Sequence, residues 1–471
     1  MRTKHHVGFV LVVAMVGGPS PVREFVDAIP VGTSPGLAAD LLIRVARAPA
    51  AAAEGRAWQQ ALYEKAIELS SAIDEPFPTV PLPGTHTDTR DGVASSGASL
   101  GVDALSVRVR ATQGLLSLAP SAALDVARQM RSSVSALTCR DTLVPDVSPL
   151  FELAQSLATE SAARRRRRGP DDETFEVLEG LVQSIDSSLA IGPALRFVQR
   201  ATLTPDQSRT ILVDLAGILA SLSDGDVAFT ASLDSNWTNI KKIVEVGDDP
   251  VQSVILRAFR QFVVNHVGAE RCGGLGLNAE QVAAHRAKTL QDIDAVMEAH
   301  GLARLSKAET TPIRVVPAAP VVEFWRSSKS SELFRELKRL KFNGRKIRTA
   351  ADKQTPAWFQ DLDRFLAMLN TWTPRDEASP ADYFFERSLL SEALVDVVPP
   401  GDARDRVLTD FVTYLAASES QFHGSAWLFR VRLLIDRHRS TERAWVLGAL
   451  RRSGDSTMRA YAQLEDVLAV R

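Results

Sequence analysis

Cysteine, tyrosine and methionine are scarce in this 471-residue chain, which has 2, 4 and 6 of them. Two cysteines exclude a small disulfide-dense scaffold, and without clustered histidines they exclude a cysteine zinc site. A surplus of either charge is also missing. Lys and Arg total 55 against 57 Asp and Glu, a net charge of −2, so nothing attracts nucleic acid or another polyanion globally and any such contact has to be local. Lysine itself is rare, 11 residues beside 44 arginines, and with the Ala- and Val-rich usage this is the bias of a GC-rich bacterial genome. The chain lacks His-Glu-x-x-His, a phosphate-binding P-loop and a dinucleotide-binding glycine fingerprint, and no cofactor is implied. What remains is 45% hydrophobic and 24% charged, enough for two or three globular domains with sizeable cores.

The amino terminus sets a destination. A basic start, Met1 to His6, precedes an apolar run from Val7 to Val16 and a small-residue, proline-containing end. This is the layout of a secretory signal peptide over residues 1–18, and the run falls short of the roughly 20 residues a spanning helix needs. A retained anchor and a buried terminal strand or helix are the other readings. Removal would leave 53 basic and 57 acidic residues in a periplasmic or extracellular protein. Cys139 and Cys272 lie 133 positions apart. In an oxidising compartment they would pair, with a chain-entropy contribution on the order of 4 to 5 kcal/mol; two unrelated buried thiols are the alternative. Neither has an adjacent base to make it a nucleophile.

Prolines mark the architecture. Six follow a residue whose side chain can cap a helix: Ser34-Pro35, Ser148-Pro149, Thr204-Pro205, Asp249-Pro250, Thr355-Pro356 and Ser379-Pro380. Such pairs predict helix starts, because proline at the first helical position has no amide to leave unbonded. After Asp249-Pro250 apolar residues fall at Val251, Val254, Ile255, Ala258, Phe259, Phe262 and Val263, the spacing of one helix face. Gln207 is placed to complete a capping box with Thr204. Candidate strands are few, at Val227 to Leu233 and Ile313 to Val322. Asp103 to Met130 and Trp58 to Ile73 resemble the hairpins of tetratricopeptide-type solenoids, although no fixed 34-residue period follows. The expectation is therefore an all-α protein, an irregular or solenoid-like stack of antiparallel helical hairpins. An N-terminal helical domain spans 35–305, with an exposed loop at 74–101. A proline-containing linker at 306–323 leads to a C-terminal helical domain at 324–471.

Candidate chemistry is weaker. Gly97-Ala98-Ser99-Leu100-Gly101 has the nucleophile-elbow spacing, but a polar stretch stands where the elbow needs a strand, so it reads as a linker. His266 and Glu270 are four apart, and His285 and His300 fall on a neighbouring helix, yet no histidine pair has metal-ligand spacing. The glycines around Cys272 have no strand before them, and Asn278 more simply caps a helix. Arg164 to Arg168 close one helix while Asp171, Asp172 and Glu173 open the next, an arrangement that opposes both helix dipoles. The late tryptophans and phenylalanines recur at core spacing.

One basic region stands apart. From Arg326 to Arg348 there are nine cations against Glu332 and Glu336. Leu333, Leu337 and Leu340 mark one helix face, and the pattern fits first a solvated helix docked on the core by its leucines; the sharper reading makes Arg335, Lys338, Arg339, Lys341, Arg345, Lys346 and Arg348 an interaction surface for an acidic protein, an envelope polymer or anionic lipid. The expected function is an exported protein-interaction scaffold whose partner is another protein or an envelope component, with nucleic acid disfavoured. A hydrolase whose site forms only in the fold, and anionic-surface binding through 326–348, are the alternatives.

Overall fold

A computed structural model describes residues 20–29, 33–73, 79–81, 100–132, 134, 136–141, 143–168, 172–247, 249–273, 279–317, 327–377, 380–418, 427, 430–431, 434 and 441–469. These residues form an all-α fold of twenty helices with three two-stranded ribbons. Residues 1–18, Ser99, Asn278, Phe324, Trp325 and Arg326 lie outside them.

The N-terminal part is a double row of helices. Helices α1 (Pro21–Asp27), α2 (Pro35–Ala46) and α3 (Pro49–Ala53) lead into α4 (Arg56–Ser70). Hairpins follow: α5 (Ala104–Leu118) with α6 (Pro120–Arg128), α7 (Ser148–Arg168) with α8 (Asp172–Gln183), α9 (Ser188–Arg200) with α10 (Pro205–Ser221), and α11 (Asp226–Val246) with α12 (Asp249–Val267). Helix α13 (Ala279–Ala299) and the one-turn α14 (Lys307–Thr310) complete the series. First members stack on first members, α2 on α4, then α5, α7, α9, α11 and α13, while α6, α8, α10, α12 and α14 form the second row. Each hairpin thus buries its apolar stripe against the hairpins before and after it, the logic of a solenoid.

Local chemistry sets the boundaries. Thr204 Oγ1 accepts the Gln207 amide at 3.2 Å and Gln207 Oε1 accepts the Thr204 amide at 3.1 Å, so the capping box forms and Pro205 opens α10. Pro35 and Pro356 also stand at helix starts; Thr355 caps the second by accepting from the Trp358 amide, whereas Ser34 makes no side-chain cap. In α12, Ile255, Phe259, Phe262 and Val263 are buried, whereas Val254, at the margin of the apolar stripe, is 45% exposed. The stretch Val227 to Leu233, a candidate strand by its sequence, is helical and opens α11. Val227, Ala228, Phe229, Ser232 and Leu233 are all buried. Burial on several sides erases the helical period there, leaving a short apolar run that looks like strand.

The ribbons are short. β1 (Thr79–Pro81) pairs antiparallel with β2 (Leu143–Pro145), so part of the expected 74–101 loop is tied to the stack. β3 (Glu270–Gly273) pairs in parallel with β4 (Arg314–Pro317). Within 306–323, α14 and β4 therefore pack on the N-terminal part.

The C-terminal helices are α15 (Ser328–Lys341), α16 (Pro356–Thr371), α17 (Pro380–Val397), α18 (Asp402–Ser418), α19 (Thr441–Arg451) and α20 (Ser456–Ala469), with a small hairpin, β5 (Phe342–Asn343) and β6 (Lys346–Ile347), after α15. Each packs on the next, except that α15 meets both α16 and α17. Helix α20 then returns to α1, α2 and α3. The contact is centred on Asp40, whose side chain is 0% exposed: Arg110 of α5 donates to Oδ1 at 2.8 Å and the Tyr461 hydroxyl of α20 donates to Oδ2 at 3.0 Å. Arg44 and Glu465 pair beside it at 3.2 Å. One continuous apolar core includes Val22 at one end of the chain and Leu464 at the other.

Because Asp40 is a buried carboxylate shared by three helices, Asp40→Ala should cost about 3 kcal/mol or more. Arg339→Ala, which breaks an exposed one-turn pair with Glu336, should cost about 0.5 kcal/mol or less. Urea unfolding of both variants checks the contrast, and equal losses would contradict it.

Candidate functional site: a cationic helix and hairpin

Helix α15 is amphipathic by leucine spacing. Ser330, Leu333, Leu337 and Leu340 are buried, and Trp358 of α16 donates its indole N–H to the Leu340 carbonyl at 3.0 Å, pinning the helix end. The opposite side carries Arg335, Lys338, Arg339 and Lys341, all exposed. The chain passes directly into β5 and β6 around Gly344, whose φ of 62° suits a residue without a Cβ. Residues 343–347 are exposed, so Arg345 and Lys346 project with Ile347, which is 65% exposed.

Two contacts fasten this hairpin to the helix. The Arg348 amide donates to the Lys341 carbonyl at 3.0 Å, and Arg348 Nε donates to the Arg339 carbonyl at 3.1 Å. Lys341 Nζ lies 5.6 Å from the centre of the Phe342 ring. Nearby Lys353 is pushed below its ordinary value by burial and then by the charge of Lys341. Arg339 pairs with Glu336, but Arg335, Lys338, Lys341, Arg345 and Lys346 have no ion pair among the described residues. All seven cations singled out in the sequence thus belong to one helix-and-hairpin unit.

Beneath α15 lies a group that the sequence did not single out. Glu386 of α17 is 0% exposed and neither carboxyl oxygen has a hydrogen bond. The Ser330 hydroxyl is near enough to favour the charge but donates to the Ser327 carbonyl at 3.3 Å. Burial, reinforced by the charges of Glu377 and Asp382, pushes Glu386 up to about 7. Glu377, also raised by burial, accepts from Ser327 at the α15 N-cap and from the Trp372 indole at 2.8 Å.

The residues that resemble catalytic parts are committed to structure. His266, at the end of α12, has a side chain 0% exposed. Its Nδ1 meets the Phe262 carbonyl at 2.7 Å and its Nε2 meets Asp224 Oδ1 at 2.6 Å, so neither nitrogen is free to take a proton from a nucleophile. Asp224 Oδ2 accepts from the Ser187 hydroxyl and from the Ser188 amide and hydroxyl, each at 2.9 Å. Burial works to raise this carboxyl, but these hydrogen bonds and His266 outweigh it and hold it below its usual range. Ser, Asp and His are all present, yet the aspartate stands in the middle, where a catalytic triad needs the histidine. Glu270 is turned to Arg314 at 3.1 Å, and exposed His285 pairs with Asp234.

Next to this cluster the two cysteines are joined, Cys139 to Cys272, with Cα atoms 5.4 Å apart. The Cys272 amide donates to Asp226 Oδ2 at 3.0 Å, and Arg286 of α13 donates to Asp226 Oδ1 at 2.9 Å. The Leu137 carbonyl would come within 2.7 Å of a Cβ at Gly225, so a side chain there would displace the cysteine loop. Arg164 and Arg165 are likewise occupied, Arg164 by Glu160 at 3.4 Å and Arg165 by the Thr202 carbonyl at 2.8 Å and Gln207 at 3.0 Å. Among the described residues no group of His, Cys, Asp and Glu could hold a metal ion, and no helix is long and apolar enough to cross a membrane.

Comparison with protein-family models, curated proteins and solved structures found no match to this chain. The fold and its surface are those of an all-α stack of hairpins bearing a basic tip.

The burial of Glu386 has a pH consequence. Its folded value lies above its ordinary 4.5, so folding favours the protonated acid. That stability is full below about pH 4.5, falls as pH rises and is gone above about pH 7. Glu386→Gln should therefore stabilise the protein on the order of 2 to 3 kcal/mol at pH 8 and leave it nearly unchanged at pH 4. Some slope persists in that variant, because burial also pushes Asp103 up to about 6. Thermal unfolding across this range checks the difference, and parallel curves for both proteins would contradict it.

Proposed function

We propose that this protein is an exported bacterial interaction scaffold acting in the periplasm or outside the cell. The observation that carries the reading is the double row of hairpins, α2 through α14, because such a row presents long surfaces built from many successive helices. The commitment of His266, Asp224 and Ser188 to one another supports it further, since the groups best suited to acid–base work serve as struts. Arg-rich composition and the N-terminal charge and apolar pattern support the bacterial and exported parts of the reading.

Photo-crosslinking residues placed at exposed Val213 and Val254, on α10 and α12, test it in the envelope fraction of the source cells. A discrete adduct with one partner, competed away by the unlabelled protein, is the expected result. Absence of any adduct, together with substrate turnover by the purified protein, would replace the scaffold with a hydrolase.

A further inference from the structure

We propose that the cationic tip formed by α15 and the β5–β6 hairpin docks this protein on an anionic lipid bilayer. Five cations, Arg335, Lys338, Lys341, Arg345 and Lys346, lack ion pairs among the described residues, and they share one helix-and-hairpin unit with an exposed aliphatic side chain, Ile347. Like charges gathered on one face sum to a local positive potential that attracts an anionic surface. The shape selects the partner. A peptide held by its apolar side chains uses a groove or pockets, whereas residues 343–347 are all exposed and the space beside Gly344 is open for at least 4 Å. A projecting tip of this kind makes all its contacts at once only with a broad surface. Lipid phosphates would take the guanidinium and ammonium groups while Ile347 enters the headgroup boundary. Trp358 and the buried leucines hold α15 to the helices below, so the tip meets the surface without first having to order.

This contact adds to the scaffold reading without depending on it, because it is tested on the purified chain with no partner present. The probe is sedimentation with phosphatidylcholine vesicles containing one-third phosphatidylglycerol, beside pure phosphatidylcholine vesicles. Binding to the anionic vesicles at low salt is expected, with release in molar salt, where the screening length falls to about 3 Å. Each surface cation contributes roughly fivefold to such partitioning, so Arg345→Glu with Lys346→Glu should weaken it by about a hundredfold or more. Ile347→Ser should weaken it by about tenfold. All three positions are exposed, and unchanged thermal unfolding of the variants separates lost binding from lost fold. Equal binding to neutral vesicles, or full binding by the charge-reversed variant, would overturn the proposal. So would capture of a polyglutamate peptide without binding to either vesicle, which would make an acidic polypeptide the partner.

Discussion

Asp40 is the constraint on which the two parts of this fold most depend. In a stack of hairpins each unit touches only its neighbours, so both ends expose apolar surface unless something covers them. Here α20 covers the beginning of the row, and a carboxylate with no access to water binds Arg110 from the N-terminal row and Tyr461 from a position 421 residues away. The low polarity around Asp40 makes these bonds strong and makes their loss costly. The contact also ties the C-terminal helices to the row, which is how α15 and its hairpin acquire a fixed base.

A second fastening stands near the other end of the row. The disulfide, the Asp226–Arg286 pair and the Asp224–His266–Ser188 cluster join the loop before α7, the start of α9, the α10–α11 turn, the end of α12 and helix α13. Covalent closure acts chiefly by limiting the unfolded chain, and the buried polar bonds then select one arrangement of the closed loop. Buried charge in this protein is mostly satisfied in this manner. Glu386 departs from the pattern, a buried carboxyl whose oxygens accept no hydrogen bond.

Much of the helical plan is legible in the sequence because it is encoded locally. Thr204, Pro205 and Gln207 are within three positions of one another, and their chemistry needs nothing from the rest of the chain. The cationic unit is legible for the same reason, since helix, turn and charges are contiguous from Ser328 to Arg348. Asp40, Asp224 and Glu386 are not, because an aspartate or glutamate looks the same in sequence whether it faces water or a partner hundreds of residues away. Val227 to Leu233 shows a different limit: burial on several sides removed the period by which a helix is recognised. His266 drew notice as a possible ligand, yet only the fold shows both of its nitrogens occupied.

Asp40 makes α2 and α20, from opposite ends of the chain, one cooperative unit. Native-state hydrogen exchange of the intact protein, read separately for α2 and α20, measures this. If Asp40 ties them together, their most protected amides share one opening free energy and respond equally to added denaturant. If α20 opens at a much lower free energy while α2 stays protected, the two ends are merely adjacent and Asp40 does not tie them.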